Sequence, residues 1–340
     1  MKALVTGATG FIGFHLVRQL LAEGWSVRAL IRRAVERGAL IEELSQGYPE
    51  AFEVVDGDLN DPHLLTRAAE GTNVVFHLAG TVIAVDKVGY FRTNFDGTVN
   101  LVNALLQAGA PKGKSAGWPP RLIFASSLAA GGPNPPGHPR NEGDPDRPIT
   151  HYGRSKLAAE EYIHEQKQAL WSAILRPAAV YGPGDVGFAS IFRSVSRGVR
   201  LGYLGRDMEL SLVYVENVVK ALIGLAGSQA PAGEVYYCAD PQVMTVDAFQ
   251  KAIAAALGKS TIRIPVPRLL VLPAALLASL VQRVSRRPSF FNLQKVIEAI
   301  QPAWSCTAGK LRRELGQDAH IGLQEGLRRT INYYREEGLL

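Results

Sequence analysis

Short apolar runs alternate with stretches of helical periodicity through the first half of this 340-residue chain. Runs such as Ala3–Val5, Ser26–Ile31 and Arg121–Ala125 are typical of buried strands, and the segments after them repeat apolar residues every three or four positions. This alternation predicts an α/β fold, a Rossmann-type doubly wound parallel sheet. After residue 176 the alternation weakens, which marks a smaller second region.

A glycine-rich turn joins the first predicted strand to the first predicted helix. Gly7, Gly10 and Gly13 recur at every third position before the helical pattern of Phe14–Leu21. Gly7 permits a tight turn, Gly10 lets backbone amides approach a pyrophosphate, and Gly13 lets the helix pack closely on the strand. The helix N-terminus adds free N–H groups and a partial positive charge. The pattern predicts a dinucleotide-binding turn, with an ordinary strand-to-helix loop as the alternative.

Composition narrows the class of protein. Hydrophobic residues at 47% and charged residues at 20% are typical of a soluble globular protein. Two distant cysteines, Cys238 and Cys306, have no metal-ligand spacing and suit a reducing compartment. Since the chain starts directly with a strand pattern and shows no leader, we expect a cytoplasmic protein without a metal. The net charge of +6 comes from scattered arginines, which favours solvated helix faces over nucleic-acid binding.

The end of the second predicted strand bears on the choice of cofactor. Arg32 and Arg33 follow Ile31, and no acid lies between Trp25 and Val35. In this fold an acid at that point bonds the ribose 2′-hydroxyl, whereas arginine accepts a 2′-phosphate. The sequence therefore favours NADP(H), with NAD(H) as second choice; the alternative is a pair of exposed basic residues. Asp58, after the third strand, is placed to contact the adenine edge.

A tyrosine and a lysine one helical turn apart supply candidate proton chemistry. Tyr152 and Lys156 begin a predicted helix 25 residues after Ser127, which itself ends a strand. Hydride transfer at a carbinol carbon requires a proton to move on its oxygen. We expect the Lys156 ammonium to lower the pKa of Tyr152, whose reference value is near 10, and Ser127 to hold the substrate oxygen.

With these motifs together, the chain resembles an extended short-chain dehydrogenase/reductase of the NAD-dependent epimerase/dehydratase kind over essentially its whole length. The resemblance implies that Tyr152 is the proton donor and acceptor, that Lys156 is its partner and a ribose contact, and that Asn94 matches the family's helix asparagine. It also implies further cofactor contacts in the matching motifs: Gly7, Thr9, Gly10, Phe11, Ile12, Gly13, Asp58, Leu59, Leu78, Ala79, Gly80, Tyr152, Lys156 and Pro177.

The resemblance also divides the chain. Residues 1–176 would form the Rossmann domain, rejoined by about 205–225. Residues 177–204 and 226–340 would form a smaller C-terminal α/β region that shapes the substrate pocket.

Departures from the family pattern discriminate among its branches. Sugar-nucleotide dehydratases carry Asp-Glu after the catalytic Ser or Thr, whereas Leu128 and Ala129 stand here. Leu210 occupies the position where epimerases usually carry an arginine for the pyrophosphate. The chain looks closer to dihydroflavonol reductases and 3β-hydroxysteroid dehydrogenases, which implies a hydrophobic ketone or alcohol such as a 3-oxo-ceramide. A nucleotide-sugar epimerase and a non-catalytic NADP(H)-binding protein are the alternatives.

The segment 262–291 combines an apolar run with basic residues and no acid. Leu269 to Val281 are almost all apolar but too few to span a bilayer. Five arginines bracket the run: Arg263, Arg268, Arg283, Arg286 and Arg287. Burial in the second region or at a homodimer interface is one interpretation. The other is a helix that walls the substrate pocket and touches the inner face of a membrane.

Overall fold

The structure of the chain is a computed structural model. It describes residues 1–32, 38–108, 120–203, 207–266, 268–289, 291–316 and 320–340. Arg33, one of the two candidate 2′-phosphate ligands, lies outside the described residues.

A seven-stranded parallel sheet forms the larger part of the molecule, as the strand and helix alternation predicts. Its strand order is β10-β6-β5-β4-β1-β2-β3. The strands are β1 (Lys2–Thr6), β2 (Ser26–Ile31), β3 (Phe52–Asp56), β4 (Val74–His77), β5 (Arg121–Ala125), β6 (Ser172–Pro177) and β10 (Glu234–Cys238). Because β1 lies between β2 and β4, the order reverses beside it, and the carboxyl ends of β1 and β4 open a crevice there.

Helices on the two faces of the sheet bury its apolar strands. They are α1 (Phe11–Ala22), α2 (Gly38–Gly47), α3 (Pro62–Ala69), α4 (Lys87–Phe91), α5 (Gly97–Ala108), α6 (Leu128–Gly131), α7 (His151–Glu165) and α9 (Val215–Gly227). A π-helical turn over Arg92–Asp96 joins α4 to α5.

The second region contains a small mixed sheet, a strand pair and five helices within the described residues. The sheet holds β7 (Ala179–Tyr181), β9 (Glu209–Tyr214), β11 (Val243–Thr245) and β13 (Ala303–Trp304); the pair is β8 (Val199–Tyr203) with β12 (Ile262–Val266). The helices are α8 (Ala189–Ser196), α10 (Val246–Leu257), α11 (Arg268–Ser285), α12 (Leu293–Ala299) and α13 (Gly309–Leu315). The last helix, α14 (Leu323–Glu336), packs against α10.

The predicted division of the chain needs a correction at its second crossing. Helix α9 packs on α1 and on the large sheet, in line with a return near 205–225. However, β10 pairs in parallel with β6, so the large sheet extends to Cys238, inside the range 226–340 assigned to the second region. Strand β9, by contrast, belongs to the small sheet. Strand β10 is only five residues long and lies beyond the predicted return near 205–225, so periodicity alone did not assign it to the large sheet.

Candidate active site

The glycine turn closes tightly against the end of β4. Gly7 has a φ of +73°, and a Cβ on it would lie 2.6 Å from the backbone nitrogen of Ala79. A Cβ on Gly13 would lie 2.0 Å from the Gly7 carbonyl oxygen. Any side chain at either position would push α1 or the Ala79 backbone away. The two glycines therefore bring the N-terminus of α1 onto the crevice between β1 and β4.

The start of α1 offers backbone amides to an anion. Gly10 is the N-cap and makes no side-chain cap, and the first turn, which contains Phe11, Ile12 and Gly13, carries no acid. The first N–H groups of a helix have no partner within it, and the helix dipole adds partial positive charge. The site thus fits a pyrophosphate group.

A cleft of about 420 Å³, which we call the glycine cleft, extends over this turn. Its walls include the following residues: Thr6, Gly7, Thr9, Gly10, Leu30, Ile31, Arg32, Gly57, Asp58, Leu59, Asn60, Leu78, Ala79, Gly80, Arg92 and Thr93. Nine of the predicted cofactor contacts are among them: Gly7, Thr9, Gly10, Arg32, Asp58, Leu59, Leu78, Ala79 and Gly80. Phe11, Ile12 and Gly13 follow Gly10 in the first turn of α1. Pro177, at the end of β6, is buried and is not in this lining.

At the far end of the glycine cleft, Arg32 lies close to Asp58. The Arg32 side chain is 73% exposed, and its Nη1 is 3.9 Å from an Asp58 carboxylate oxygen. At that separation and exposure the pair is weak, so the guanidinium is available to another anion. Strand β2 therefore ends in a cation at the crevice, as predicted.

Asn94 sits on the π-helical turn and is completely buried. Its Oδ1 accepts from the Thr81 amide at 2.7 Å, and its Nδ2 donates to the Thr81 carbonyl and to Ser155 Oγ at 2.9 Å. A Cβ on Gly80 would lie 3.1 Å from Asn94 Oδ1 and 3.8 Å from Lys156 Nζ. Asn94 thus ties the end of the glycine cleft to α7. Turns of this π type are frequent at functional sites.

Two local features bring Tyr152 beside Ser127. Thr150 caps α7 by accepting from the Gly153 amide at 3.1 Å. A Cβ on Gly153 would lie 2.2 Å from the Ala129 carbonyl oxygen, so glycine lets the start of α7 approach α6. Ser127 Oγ accepts from the Ala129 amide at 3.1 Å, which leaves the hydroxyl hydrogen free to be donated.

Burial raises the pKa of Tyr152 to about 12, although the hydrogen bond between Tyr152 and Ser127 by itself lowers this pKa. At neutral pH the phenol is therefore protonated. Lys156 is not among the groups that set this value, contrary to the expectation that its ammonium lowers the pKa of Tyr152.

The reason lies in the surroundings of Lys156, which is buried. Its Nζ donates to the Ala125 carbonyl at 2.6 Å and lies 4.2 Å from the centre of the Phe124 ring. Burial lowers the pKa of Lys156 to about 7, while nearby Glu160 raises it. A lysine of this kind changes its charge close to neutral pH.

A buried ion network lies behind Lys156. Arg176 donates to both carboxylate oxygens of Glu160 and, at 2.6 and 2.7 Å, to those of Asp146. Ser126 also donates to Glu160. Asp146 belongs to the long loop before α7, so Arg176 fastens that loop to the large sheet. A buried charge stays favourable only when paired in this way.

A second cleft, of about 490 Å³, lies beside Tyr152, and we call it the Tyr90 cleft. The ring centre of Tyr90 in its wall is 6.4 Å from that of Tyr152. Its walls come from residues 84–87, α4, the start of α7, α11 and α12: Ala84, Val85, Asp86, Lys87, Tyr90, His151, Leu276, Ser279, Leu280, Gln282, Arg283, Asn292, Leu293 and Gln294. Most of this wall surface is apolar.

Several residues near the two clefts were not predicted from the sequence. Lys295 lies 6.0 Å from the Tyr152 ring centre and pairs with Glu298 at 2.8 Å. Arg92 lines the glycine cleft. The sequence could have pointed to Arg92, because it is two residues from Asn94. Lys295 belongs to no sequence motif. His77 is a core histidine whose two ring nitrogens form hydrogen bonds with Thr6 and Thr98.

Comparison with known proteins assigns the family. The sequence model described as the NAD dependent epimerase/dehydratase family matches residues 3–239. This chain belongs to that family. The match ends one residue after β10, which agrees with the corrected extent of the large sheet. Recognition of the family and of its Rossmann fold from the sequence is thus confirmed, as is an NAD(P)-dependent enzyme of this kind.

Relatives within the family act on different substrates. Ceramide reductase of Caulobacter vibrioides is 30% identical over 340 residues, 99% of this chain and 95% of that protein. The 3 beta-hydroxysteroid dehydrogenase type 7 of Mus musculus is 31% identical over 264 residues, 70% of this chain and 68% of that protein. Among solved structures, MoeE5 in complex with UDP-glucuronic acid and NAD is 25% identical, with a TM-score of 0.75, and 99% of this chain and 100% of that one are covered.

Proposed function

We propose that this protein is an NADP(H)-dependent oxidoreductase that reduces a ketone, or oxidises a secondary alcohol, on a hydrophobic substrate of the lipid or sterol type, such as a 3-oxo-ceramide. The observation that carries the proposal is the Tyr90 cleft, a cavity with mostly apolar wall surface. It lies beside Tyr152, which bonds Ser127 and precedes Lys156 by one turn of α7. The similarity to a ceramide reductase over nearly the full length supports this substrate class.

The side chains have distinct roles in this reaction. A nicotinamide cofactor held along the glycine cleft would supply or accept the hydride. Tyr152 holds its proton at neutral pH and donates it from Oη to the ketone oxygen. Ser127, whose lone pair is taken by the Ala129 amide, donates its own hydrogen to the same oxygen. Lys156 supplies positive charge near the cofactor end of the site, and Asn94 holds Thr81 and α7 in position.

Arg32 favours NADP(H) over NAD(H). It is exposed at the end of β2, and its contact with Asp58 is long enough to yield to a 2′-phosphate. NAD(H) is the second choice for this chain, because the similar protein MoeE5 was solved in complex with NAD.

A nucleotide-sugar epimerase is the second candidate, favoured by the likeness to MoeE5 with UDP-glucuronic acid. Two features count against it. Leu210 is buried in β9 between β11 and β13, where a charged pyrophosphate would meet an apolar side chain. Arg32 rather than an acid follows β2, which fits the 2′-phosphate of NADP(H) better than the free ribose hydroxyl of NAD.

A substrate panel tests the proposal. Oxidation of NADPH and NADH is followed with ketones that run from UDP-4-keto sugars to 3-oxo-sphingoid lipids and sterols. We expect turnover with the hydrophobic ketones and NADPH, and none with the sugar nucleotides. Interconversion of UDP-sugar epimers, which consumes no net cofactor and is followed by chromatography of the two epimers, would favour the epimerase. Cofactor binding with neither activity would favour a non-catalytic protein.

A further inference from the structure

Helix α11 exposes an apolar face, whereas the exposed face of a surface helix in a soluble protein is usually polar. Its exposed stripe is apolar, with side chains between 55% and 79% exposed: Leu276, Leu277, Leu280, Val281 and Val284. These positions follow helical spacing on one face. Two of its polar side chains instead face the protein: Gln282 donates to the carbonyls of Ala84 and Val85 at 3.0 Å, and Ser279 Oγ accepts from the Leu293 amide at 2.8 Å.

The charge around this stripe has one sign. The sequence holds no Asp or Glu from residue 248 to residue 297. Arg283, Arg286 and Arg287 are exposed at the end of α11, and no acid pairs with them among the described residues. The sequence analysis grouped Arg263 with the arginines that bracket the apolar run. In the structure its Nη2 lies 3.3 Å from an Asp207 carboxylate oxygen, so Arg263 is not part of the surface proposed below.

We propose that the apolar stripe of α11, with Arg283, Arg286 and Arg287, docks this protein on an anionic phospholipid bilayer. The leucines and valines would enter the boundary between headgroups and acyl chains, and the arginines would lie among the phosphates. Within the described residues no helix is long and apolar enough to cross a membrane, so the contact is with one surface. A second copy of the chain is the less favoured occupant, because an identical arginine cluster would face this one.

The docking surface borders the Tyr90 cleft. Leu276, Leu280 and Arg283 line the cleft and belong to the exposed surface as well. A lipid substrate could then pass from the bilayer to Tyr152 without crossing water. This second part rests on the proposed function, whereas docking itself does not.

Co-sedimentation with vesicles tests the docking, with no substrate or cofactor present. Vesicles of phosphatidylglycerol and phosphatidylcholine in equal parts are compared with phosphatidylcholine alone. We expect binding to the anionic vesicles that weakens with salt. Replacing Arg283, Arg286 and Arg287 by Gln should weaken it about a hundredfold, since each basic residue near the surface contributes about fivefold. The double variant Leu277→Ser with Val281→Ser should weaken binding at low and high salt alike.

The matched control replaces Arg193, Arg197 and Arg335 by Gln, which removes the same charge from exposed positions on α8, its C-cap and α14. This control should bind like the wild type, and circular dichroism should show all variants folded. Docking is overturned if anionic vesicles bind no wild-type protein, if the control variant loses as much as the arginine variant, or if the leucine stripe proves to hold a dimer that the serine variant splits. Because no turnover is measured, a negative result leaves the oxidoreductase proposal standing, and a negative substrate panel leaves docking standing.

Discussion

The glycine cleft and the Tyr90 cleft lie close together but are built differently. The glycine cleft is formed at the ends of adjacent parallel strands. Its main features are glycines, which allow close backbone approach, and backbone amides. The Tyr90 cleft brings residues 84–90 together with residues 276–294, which lie nearly two hundred positions later in the chain. Most of its wall surface is apolar. The first is a feature of the Rossmann fold and fits the dinucleotide cofactor of the family. The second depends on how the later helices pack, which is where substrate preference can vary.

The largest expected effect is at Tyr152, which lies beside the Tyr90 cleft. Tyr152→Phe removes the proton but keeps the ring, so turnover should fall by about 10²–10⁴-fold while cofactor binding stays unchanged. Single-turnover kinetics and calorimetry measure the two quantities. Tyr90→Phe, on the wall of the Tyr90 cleft, is the control and should keep most of the turnover. A Tyr152→Phe enzyme with more than about a tenth of the wild-type rate would contradict general acid catalysis by Tyr152.

A pH effect on stability should come from Lys156. Its pKa is about 7 in the folded protein against 10.5 for a free lysine, so between these values the unfolded chain binds more protons. The free energy of unfolding should then rise with pH from about 7 to about 10, by an amount on the order of a few kcal/mol.

Lys156→Met supplies the reference for this measurement, because it cannot titrate there. Urea unfolding of both proteins without cofactor across that range isolates the contribution of Lys156. If the difference between the two proteins stays constant with pH, Lys156 is not a buried lysine of lowered pKa.

Arg32 tests the cofactor end of the glycine cleft. Arg32→Asp removes a charge-assisted contact of about 1.5–3 kcal/mol, so affinity for NADPH should fall roughly ten- to a hundredfold and the preference should shift toward NADH. Calorimetric titration with both cofactors measures this. Arg67→Asp, the same charge change at an exposed position of α3 outside the lining of the glycine cleft, is the control and should not reduce NADPH affinity. Equal or tighter NADH binding by the wild-type protein would overturn the assignment.

The smallest expected effect tests the close packing under the glycine cleft. In Gly13→Ala the new Cβ would overlap the Gly7 carbonyl, so the protein should lose about 1–3 kcal/mol of unfolding free energy, and cofactor affinity should fall as α1 shifts. Thermal unfolding and calorimetry follow the two losses. Gly47→Ala, at the end of α2 with no atom near the added methyl, is the control. Equal melting temperatures for both variants would show that the contact between α1 and β1 is not tight.

The sequence alone determined those parts of the molecule whose residues act within one short segment. The strand, glycine turn and helix at the start, the end of β2 at Arg32, and the spacing of Tyr152 and Lys156 on α7 all depend on local geometry, so their residue types and intervals predict their placement. The parallel sheet follows from the same alternation, because each helix returns the chain to the same edge.

Only the tertiary structure decided what depends on distant segments. Packing between distant segments produces three features that the sequence did not predict. Strand β10 joins the large sheet, Lys295 approaches Tyr152, and Lys156 donates to the Ala125 carbonyl. The clearest case is α11, whose apolar residues allowed either burial or exposure. The hydrogen bonds of Gln282 to Ala84 and Val85 orient the helix with its leucines outward, and no periodicity within α11 records the position of those two carbonyls.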